Sequence, residues 1–378
     1  MVYDYIFCGY GLSAMLVLHA MDSRGMLSGK SILILDDSKR QNKTWCFWEE
    51  GAGEFDDLLT KRWNKAVFKS GVEQEILRGK YGYKLLSPEA LEKSVTTKVK
   101  LHSGAIFTTE TVRNISDNGN LVEVETDFGK HIGKKVFNSV APKVESSAEY
   151  PLLLQHFAGW IVETPKPCFD SDRATFMDFD IAQDGNTRFV YVLPFSESKA
   201  LVEYTLFSRD KLLDEAYEAG IESYLISKKI EEYKIVGKES GVIPMTAFPF
   251  WKANTKNVLH IGTAGGWTKP STGYTLMYAK KLAVKTLKYL GSDNADFSKF
   301  HRTDRFRWYD KIFVSVLFHE NARGKEIFTA LFRRASPELV LRFLREETTF
   351  WQEIRILASC PKRLFITHII RQMFRGYR

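Results

Sequence analysis

The chain has 378 residues, of which 44% are hydrophobic and 26% charged. That composition excludes disorder and collagen-like repeats, and the length allows two packed domains. The formal net charge is +8, and the whole surplus sits in residues 301–378, which carry 16 Lys+Arg against 8 Asp+Glu. Four scattered cysteines (Cys8, Cys46, Cys168, Cys360) form no CxxC pair, which argues against a disulfide framework or thiolate metal site and for a reducing cytosolic compartment. No segment reaches the roughly 20 apolar residues that cross a bilayer, and the opening does not read as a secretory signal.

The first predicted element is an apolar strand, Tyr3–Cys8, followed by Gly9-Tyr10-Gly11-Leu12-Ser13-Ala14 and a helical stretch from Met15 to Met21. A second buried strand, Ser31–Leu35, ends at Asp36 and Asp37. This is the dinucleotide-binding arrangement with alanine at the third glycine position. Gly9 and Gly11 permit a tight turn, Leu12 and Ser13 open the helix, and a pyrophosphate is expected on the positive helix end. Asp36 is expected to accept from ribose hydroxyls.

From Val67 to Thr246 the pattern is mostly β. Leu121–Thr126 alternates with period two and closes on Asp127-Phe128-Gly129, a hairpin signal. Arg188–Pro194 and Lys199–Phe207 read as two strands joined by a turn at Phe195–Ser198. Near Val258-Leu259-His260-Ile261 the chain is expected to return to the nucleotide domain. A second glycine loop follows there, with Gly262, Gly265 and Gly266, then Thr272 and Gly273 before a helix reaching about Tyr289. Two such loops at opposite ends of a chain are expected where a flavin dinucleotide is held along its length.

Residues 295–378 read as helices over Phe300–Phe318, Lys325–Arg334, Pro337–Glu347 and Phe350–Leu357, with a last one after Pro361. In Leu364–Arg375 cations alternate with large apolar residues. That mixture suits a helix at an anionic lipid surface better than a nucleic-acid site; an ordinary surface helix packing its apolar stripe inward is the other reading. The expected organisation is α/β (α+β overall). It comprises a Rossmann-like FAD-binding domain (1–66 plus 255–294), a β-rich substrate domain (67–254) and a helical, membrane-facing region (295–378).

Several segments carry a resemblance that composition and spacing do not show. They include Lys43-Thr44-Trp45-Cys46-Phe47-Trp48, Gln155–Trp160, Phe176–Phe179, Tyr191–Ser196, Gly241–Met245 and Ile261–Tyr274. On these the chain resembles the bacterial lycopene cyclases, flavoproteins that close ionone rings on a linear C40 carotenoid. The resemblance implies an intramolecular lyase or isomerase that uses reduced FAD, with NAD(P)H as electron donor. Trp45 is then a cofactor-binding residue, and lycopene and related acyclic carotenoids are the substrates. The terminal alkene is protonated, a neighbouring alkene attacks the cation, and loss of a proton gives the β-ring.

The family's Phe-Leu-Glu-Glu-Thr motif aligns with Leu201-Val202-Glu203-Tyr204-Thr205. Glu203 is therefore the implied acid and base. Tyr204 replaces the second glutamate, which removes a carboxyl from the motif. On its apolar strand Glu203 is expected to be desolvated and neutral near pH 7. General acid catalysis is worth about 10²–10⁴-fold, so a cation also requires charge stabilisation. An anion about 4 Å away supplies roughly 4 kcal/mol at an effective dielectric near 20, and aromatic faces add about 0.5–2 kcal/mol each. Trp45, Phe47, Trp48, Trp160, Phe176, Phe179 and Tyr191 are candidate walls. Asp178, in an apolar run, either sets charge at the site or pairs with a backbone donor. A water-insoluble substrate further implies a peripheral protein on the cytoplasmic side of the cell membrane. A flavin-dependent hydroxylase or polyene reductase, or a carotenoid carrier without activity, would share most of these features.

Overall fold

The computed structural model describes residues 1–37, 44–77, 80–292, 295–301 and 304–375, with side chains through 372. Lys43, residues 293–294 and the side chains of Met373, Phe374 and Arg375 lie outside the described residues. The chain divides into two units. One comprises Met1–Trp45, Ser87–Val144 and Ala247–Arg305; the other comprises Cys46–Leu86, Glu145–Thr246 and Phe306–Arg378.

In the first unit the continuously apolar strands are the ones buried on both faces. Val2–Cys8 lies between Ser31–Asp36 and Lys130–Asn138, parallel to both, and Ile6, Phe7 and Cys8 are fully buried. Gly104–Thr109 extends the sheet beside Ser31–Asp36, and Val258–His260 pairs with Lys130–Asn138, again in parallel. Parallel neighbours require crossovers, usually helical. Leu12–Asp22 and Pro88–His102 serve two of them, and Leu12–Asp22 packs on Leu276–Leu290. Ser87 caps the helix Pro88–His102, its Oγ accepting from Ala90 N–H at 3.1 Å, with proline at the first turn, where its missing donor costs nothing. The expected hairpin is Val122–Thr126 with Lys130–Asn138. Thr126 N–H donates to Gly129 O across the turn, where Gly129 has φ 153°.

The second unit is built on a seven-stranded sheet in the order Lys234–Met245, Leu153–Glu163, Lys199–Ser208, Thr187–Ser196, Arg173–Asp178, Lys65–Ser70, Val72–Glu75. A smaller sheet joins Trp45–Glu50, Tyr81–Leu86 and Leu59–Trp63. The predicted hairpin around Phe195–Ser198 is present, its strands slightly longer than expected. The helix Asp214–Ser227 covers one face of the large sheet over a core of Trp160, Val190, Val192, Val202, Tyr204 and Leu206. The C-terminal helices are Arg305–His319, Gly324–Arg334, Pro337–Leu344, Phe350–Ser359 and Lys362–Arg375. Among the described residues no helix is long and apolar enough to cross a membrane.

The expected domain boundaries are therefore redrawn. Residues 87–144, assigned above to a β-rich substrate domain, complete the first unit's sheet. Period-two alternation marks a half-buried strand but carries no information about which sheet it joins. Residues 295–301 and 304–305 also fall to the first unit, where Phe297 and Phe300 are fully buried. The long helix consequently begins at Arg305 and not at Phe300.

Candidate functional site

In the first unit the chain turns sharply after Val2–Cys8. Gly9 sits at φ 92°, and a Cβ there would fall 2.1 Å from Ser139 Oγ, so only glycine fits. Gly9 N–H donates to Leu35 O at 2.6 Å, and Tyr10 N–H donates to Asp36 Oδ2 at 2.6 Å. Asp36 thus braces the turn from the end of the second strand. Gly11 caps the helix Leu12–Asp22 without a side-chain hydrogen bond, and a Cβ on Gly11 would meet nothing within 4 Å. An uncapped helix start with open space before it is a place for an anion.

The second loop closes on the first. Gly262, at φ 60°, lies beside Ser13, whose Oγ is 3.4 Å from the Cβ position of Gly262. Gly265 passes so near His260 O that a Cβ would be 1.9 Å away, and Gly266 is left-handed at φ 68°. His260 Nδ1 next to this loop is buried without a hydrogen-bond partner. Thr272 and Gly273 belong to a tight turn, with Gly273 N–H donating to Lys269 O at 2.9 Å, before the helix Leu276–Leu290. The structure therefore unites Gly9, Gly11, Leu12, Ser13, Asp36 and Gly262, with Gly265, Gly266, Thr272 and Gly273 following along the second loop. Trp45 is half-buried at the first position of Trp45–Glu50.

In the second unit strand pairing collects a group of polar residues on one sheet face. Glu203 stands directly opposite Tyr191 on one side and Gly159 on the other, and Gly159 stands opposite Glu239. Directly opposed residues point to the same face. A Cβ on Gly159 would lie 3.4 Å from both Glu203 Cβ and Glu239 Cγ. Glycine thus leaves the gap across which the two acids meet, and their carboxyls hydrogen-bond. Glu203 is only 7% exposed, and Thr205 Oγ1 donates to its Oε1 at 2.5 Å. Burial, with the charge of Glu239 beside it, holds Glu203 well above the usual carboxylate range.

Burial pushes the Cys46 thiol up to about 12, with the charges of Glu239 and Glu203 adding to the shift, and the thiol hydrogen-bonds Tyr191 and Tyr83. The hydroxyls of Tyr83 and Tyr191 are 2.6 Å apart. Edge-to-face rings continue the wall from Tyr191 to Tyr83, Phe176 and Trp48. A neutral acid beside π-rich faces can donate a proton and tolerate the cation that results.

Other expected positions lie elsewhere. Asp178 is opposite Val190, which in turn is opposite Tyr204, so Asp178 faces the helix-covered side and is not brought to Glu203. It accepts from Tyr224 Oη at 3.0 Å, Lys228 Nζ at 3.0 Å and the Asp180 N–H at 3.0 Å, as befits a buried charge anchored by donors. Tyr204 also faces that side, its hydroxyl accepting from Arg188 Nη1 at 3.2 Å. A glutamate at 204 would point away from Glu203, because successive strand residues alternate. The second carboxyl is thus supplied from another strand by Glu239, which sequence reasoning missed. Its signal was an inward acid in the strand leading to Gly241–Met245. Trp160 likewise faces the helix core, with Lys238 Nζ 5.6 Å from its ring centroid. His156 is held between Ser208 Oγ and Tyr217 Oη, both at 2.6 Å, and burial lowers it to about 4.

Comparison with known proteins bears on both sites. The family described as "Lycopene cyclase protein" matches residues 4–369. A lycopene beta-cyclase from Paracoccus sp. (strain N81106) is 32% identical over 223 residues, a match that spans 55% of this chain and 56% of that protein. Among solved structures, a geranylgeranyl bacteriochlorophyll reductase-like protein from Thermoplasma acidophilum aligns with a TM-score of 0.62 at 10% identity, over 98% of this chain and 99% of the other. A flavoprotein/dehydrogenase from Cytophaga hutchinsonii aligns at 0.60 and 9% identity, over 99% and 100%. These likenesses show that the chain shares the fold of these proteins nearly end to end, with the Rossmann-like part in the first unit.

Proposed function

Because the chain belongs to the lycopene cyclase family, we propose that it is a lycopene beta-cyclase, closing β-rings on the ψ-ends of lycopene by an acid-catalysed isomerisation with no net redox change. The observation that carries this reading is a buried acid, Glu203, held well above the ordinary carboxylate range and standing opposite Tyr191, the first of a row of edge-to-face rings that runs through Tyr83 and Phe176 to Trp48.

The first unit's residues fit FAD: a turn that only glycine can make, an uncapped helix start, a second glycine loop and an orphaned His260 nitrogen. Gly9, Gly11 and Ser13 would receive the pyrophosphate, Asp36 the ribose, and the Gly262–Gly273 loop the remainder. Bound there and reduced by NAD(P)H, a flavin would supply negative charge, the kind of charge that stabilises a carbocation.

The chain's own residues do the rest. Glu203 O–H gives its proton to the terminal alkene carbon. Thr205, donating to Glu203 Oε1, fixes the carboxyl rotamer. The aromatic wall excludes water that would quench the cation and adds about 0.5–2 kcal/mol per facing ring. The Glu203 carboxylate then removes the ring proton, so no proton is consumed.

Supply of so apolar a substrate supports a peripheral position on the cytoplasmic side of the cell membrane. Phe350, Trp351, Ile354, Ile366 and Ile370 are exposed on the last two helices, with Arg355, Lys362, Arg363 and Arg371 exposed among them. Apolar and cationic residues presented together suit an anionic lipid surface. Leu364, Phe365 and His368 of the same helix are buried, so it also packs inward.

The test supplies purified protein, FAD and NAD(P)H with lycopene in anionic liposomes. β-Carotene or γ-carotene should form without nicotinamide consumption per ring. One nicotinamide oxidised per product would instead identify a flavin oxidoreductase.

A further inference from the structure

The acid identified above does not act alone. We propose that Glu203 and Glu239 share a single proton across the gap left by Gly159, making Glu239 the positioning residue that keeps Glu203 in its acid form and restores that form after each ring closure. The proposal rests on the cyclase reading for its chemistry, although the sharing itself does not.

Geometry carries it. Three adjacent strands place Glu203, Gly159 and Glu239 in one row on one face. Glycine at 159 leaves the row open: a Cβ there would touch Glu203 Cβ and Glu239 Cγ at 3.4 Å each and would crowd Leu201 Cδ1 at 2.9 Å. Glu239 occupies the inward-facing set of its strand, with Gly237, Gly241 and Ile243, while its sequence neighbours Lys238 and Ser240 are exposed. Two carboxyls in hydrogen-bond contact, one buried and the other half-buried with its Oε1 shut off from water, cannot both ionise readily. Thr205 donates to one Glu203 oxygen, which leaves the other to meet Glu239. Among the described residues, the further titratable groups at the pair are the Cys46 thiol, pushed to about 12, and the Tyr83 and Tyr191 hydroxyls. None of these three supplies a positive charge.

The step balances. The Glu203 O–H bond breaks as the alkene π pair forms a new C–H bond. The second alkene's π pair forms the ring C–C bond. The ring C–H bond then breaks, its electron pair becomes the new C=C bond, and the proton returns to the carboxyl pair. Between the first and last events the pair carries two adjacent negative charges, and their mutual repulsion makes it a stronger base for the returning proton than a lone glutamate. A shared proton thus couples donation to recovery.

The test is Glu239→Gln, which keeps the shape and a hydrogen bond but removes the second negative charge. Glu203 must be protonated to donate, so activity falls as pH rises through its titration. Without the neighbouring charge that titration moves down, and the alkaline limb of kcat against pH should shift at least about one pH unit lower. Glu239→Asp, which retains the charge, should bring the limb back toward wild type. Infrared titration of the carboxylic-acid band provides a reading independent of turnover. The wild-type band should persist above the ordinary glutamate range, vanish in Glu203→Gln, and titrate at lower pH in Glu239→Gln. A Glu239→Gln protein whose band and alkaline limb match wild type would overturn the shared proton. A wild type that makes no ring would remove the cyclase reading, and the infrared titration would still decide whether the proton is shared.

Discussion

Two buried acids lie on opposite faces of the same sheet, and their surroundings differ in kind. Asp178 is fully buried and accepts from a lysine, a tyrosine and a backbone N–H. Glu203 is nearly as buried, but it hydrogen-bonds one threonine hydroxyl and a second acid. The first arrangement compensates the charge and fastens the strand Arg173–Asp178 to the helix Asp214–Ser227. The second leaves the charged form unfavourable and the neutral form ready to donate. Burial without compensation, and not burial alone, is thus what makes Glu203 the candidate acid.

The sharpest way to break this contrast is Glu203→Gln. Cyclisation should drop by at least about 10²-fold, the contribution of a positioned acid, while flavin absorbance and thermal midpoint are retained. Pigment analysis alongside a flavin spectrum checks both. Asp178→Asn should do the reverse. Turnover should be unchanged, and stability should fall by about 1–3 kcal/mol as Tyr224 and Lys228 lose their acceptor. Urea unfolding with a parallel rate assay separates the two variants; a large loss of kcat with unchanged stability would put Asp178 back in the reaction.

A smaller effect follows Glu203 with pH. Because Glu203 binds its proton more tightly folded than unfolded, its contribution to stability is fully present below the ordinary value of 4.5 and is lost as pH rises through the raised one. The wild type should therefore lose stability toward alkaline pH with a slope of at most about 1.4 kcal/mol per pH unit. Glu203→Gln should flatten that slope. Denaturation midpoints at several pH values check it, and an unchanged slope in the variant would contradict the assignment.

The parts of the molecule that sequence patterns revealed are those governed by local rules. The Gly9–Gly11 turn needs a positive φ that glycine permits, and the strand–turn–helix order is contiguous, so its place was legible; that Asp36, expected to face a ribose, accepts from Tyr10 N–H was not. Glu203 was legible as an acid within an apolar strand. Glu239 was not, because it meets Glu203 only through the register of three strands, and register is a property of long-range pairing. The same ignorance misread Tyr204 as the loss of a site carboxyl, although alternation along Lys199–Ser208 turns position 204 toward the helix core. It also left Asp178 open between a charge at the site and a partner for a backbone donor, and the Asp180 N–H is such a donor. The hairpin within 87–144 was recognised as a hairpin but given to the wrong sheet, since its pattern is equally good in either.

Turnover in D₂O tests the central claim most directly. If a carboxyl that exchanges with solvent protonates the polyene terminus, each new ring should carry one deuterium at the protonated carbon, with no nicotinamide consumed, and Glu203→Gln should form neither ring nor label. Rings formed without deuterium, or labelled rings from the glutamine variant at the wild-type rate, would contradict it.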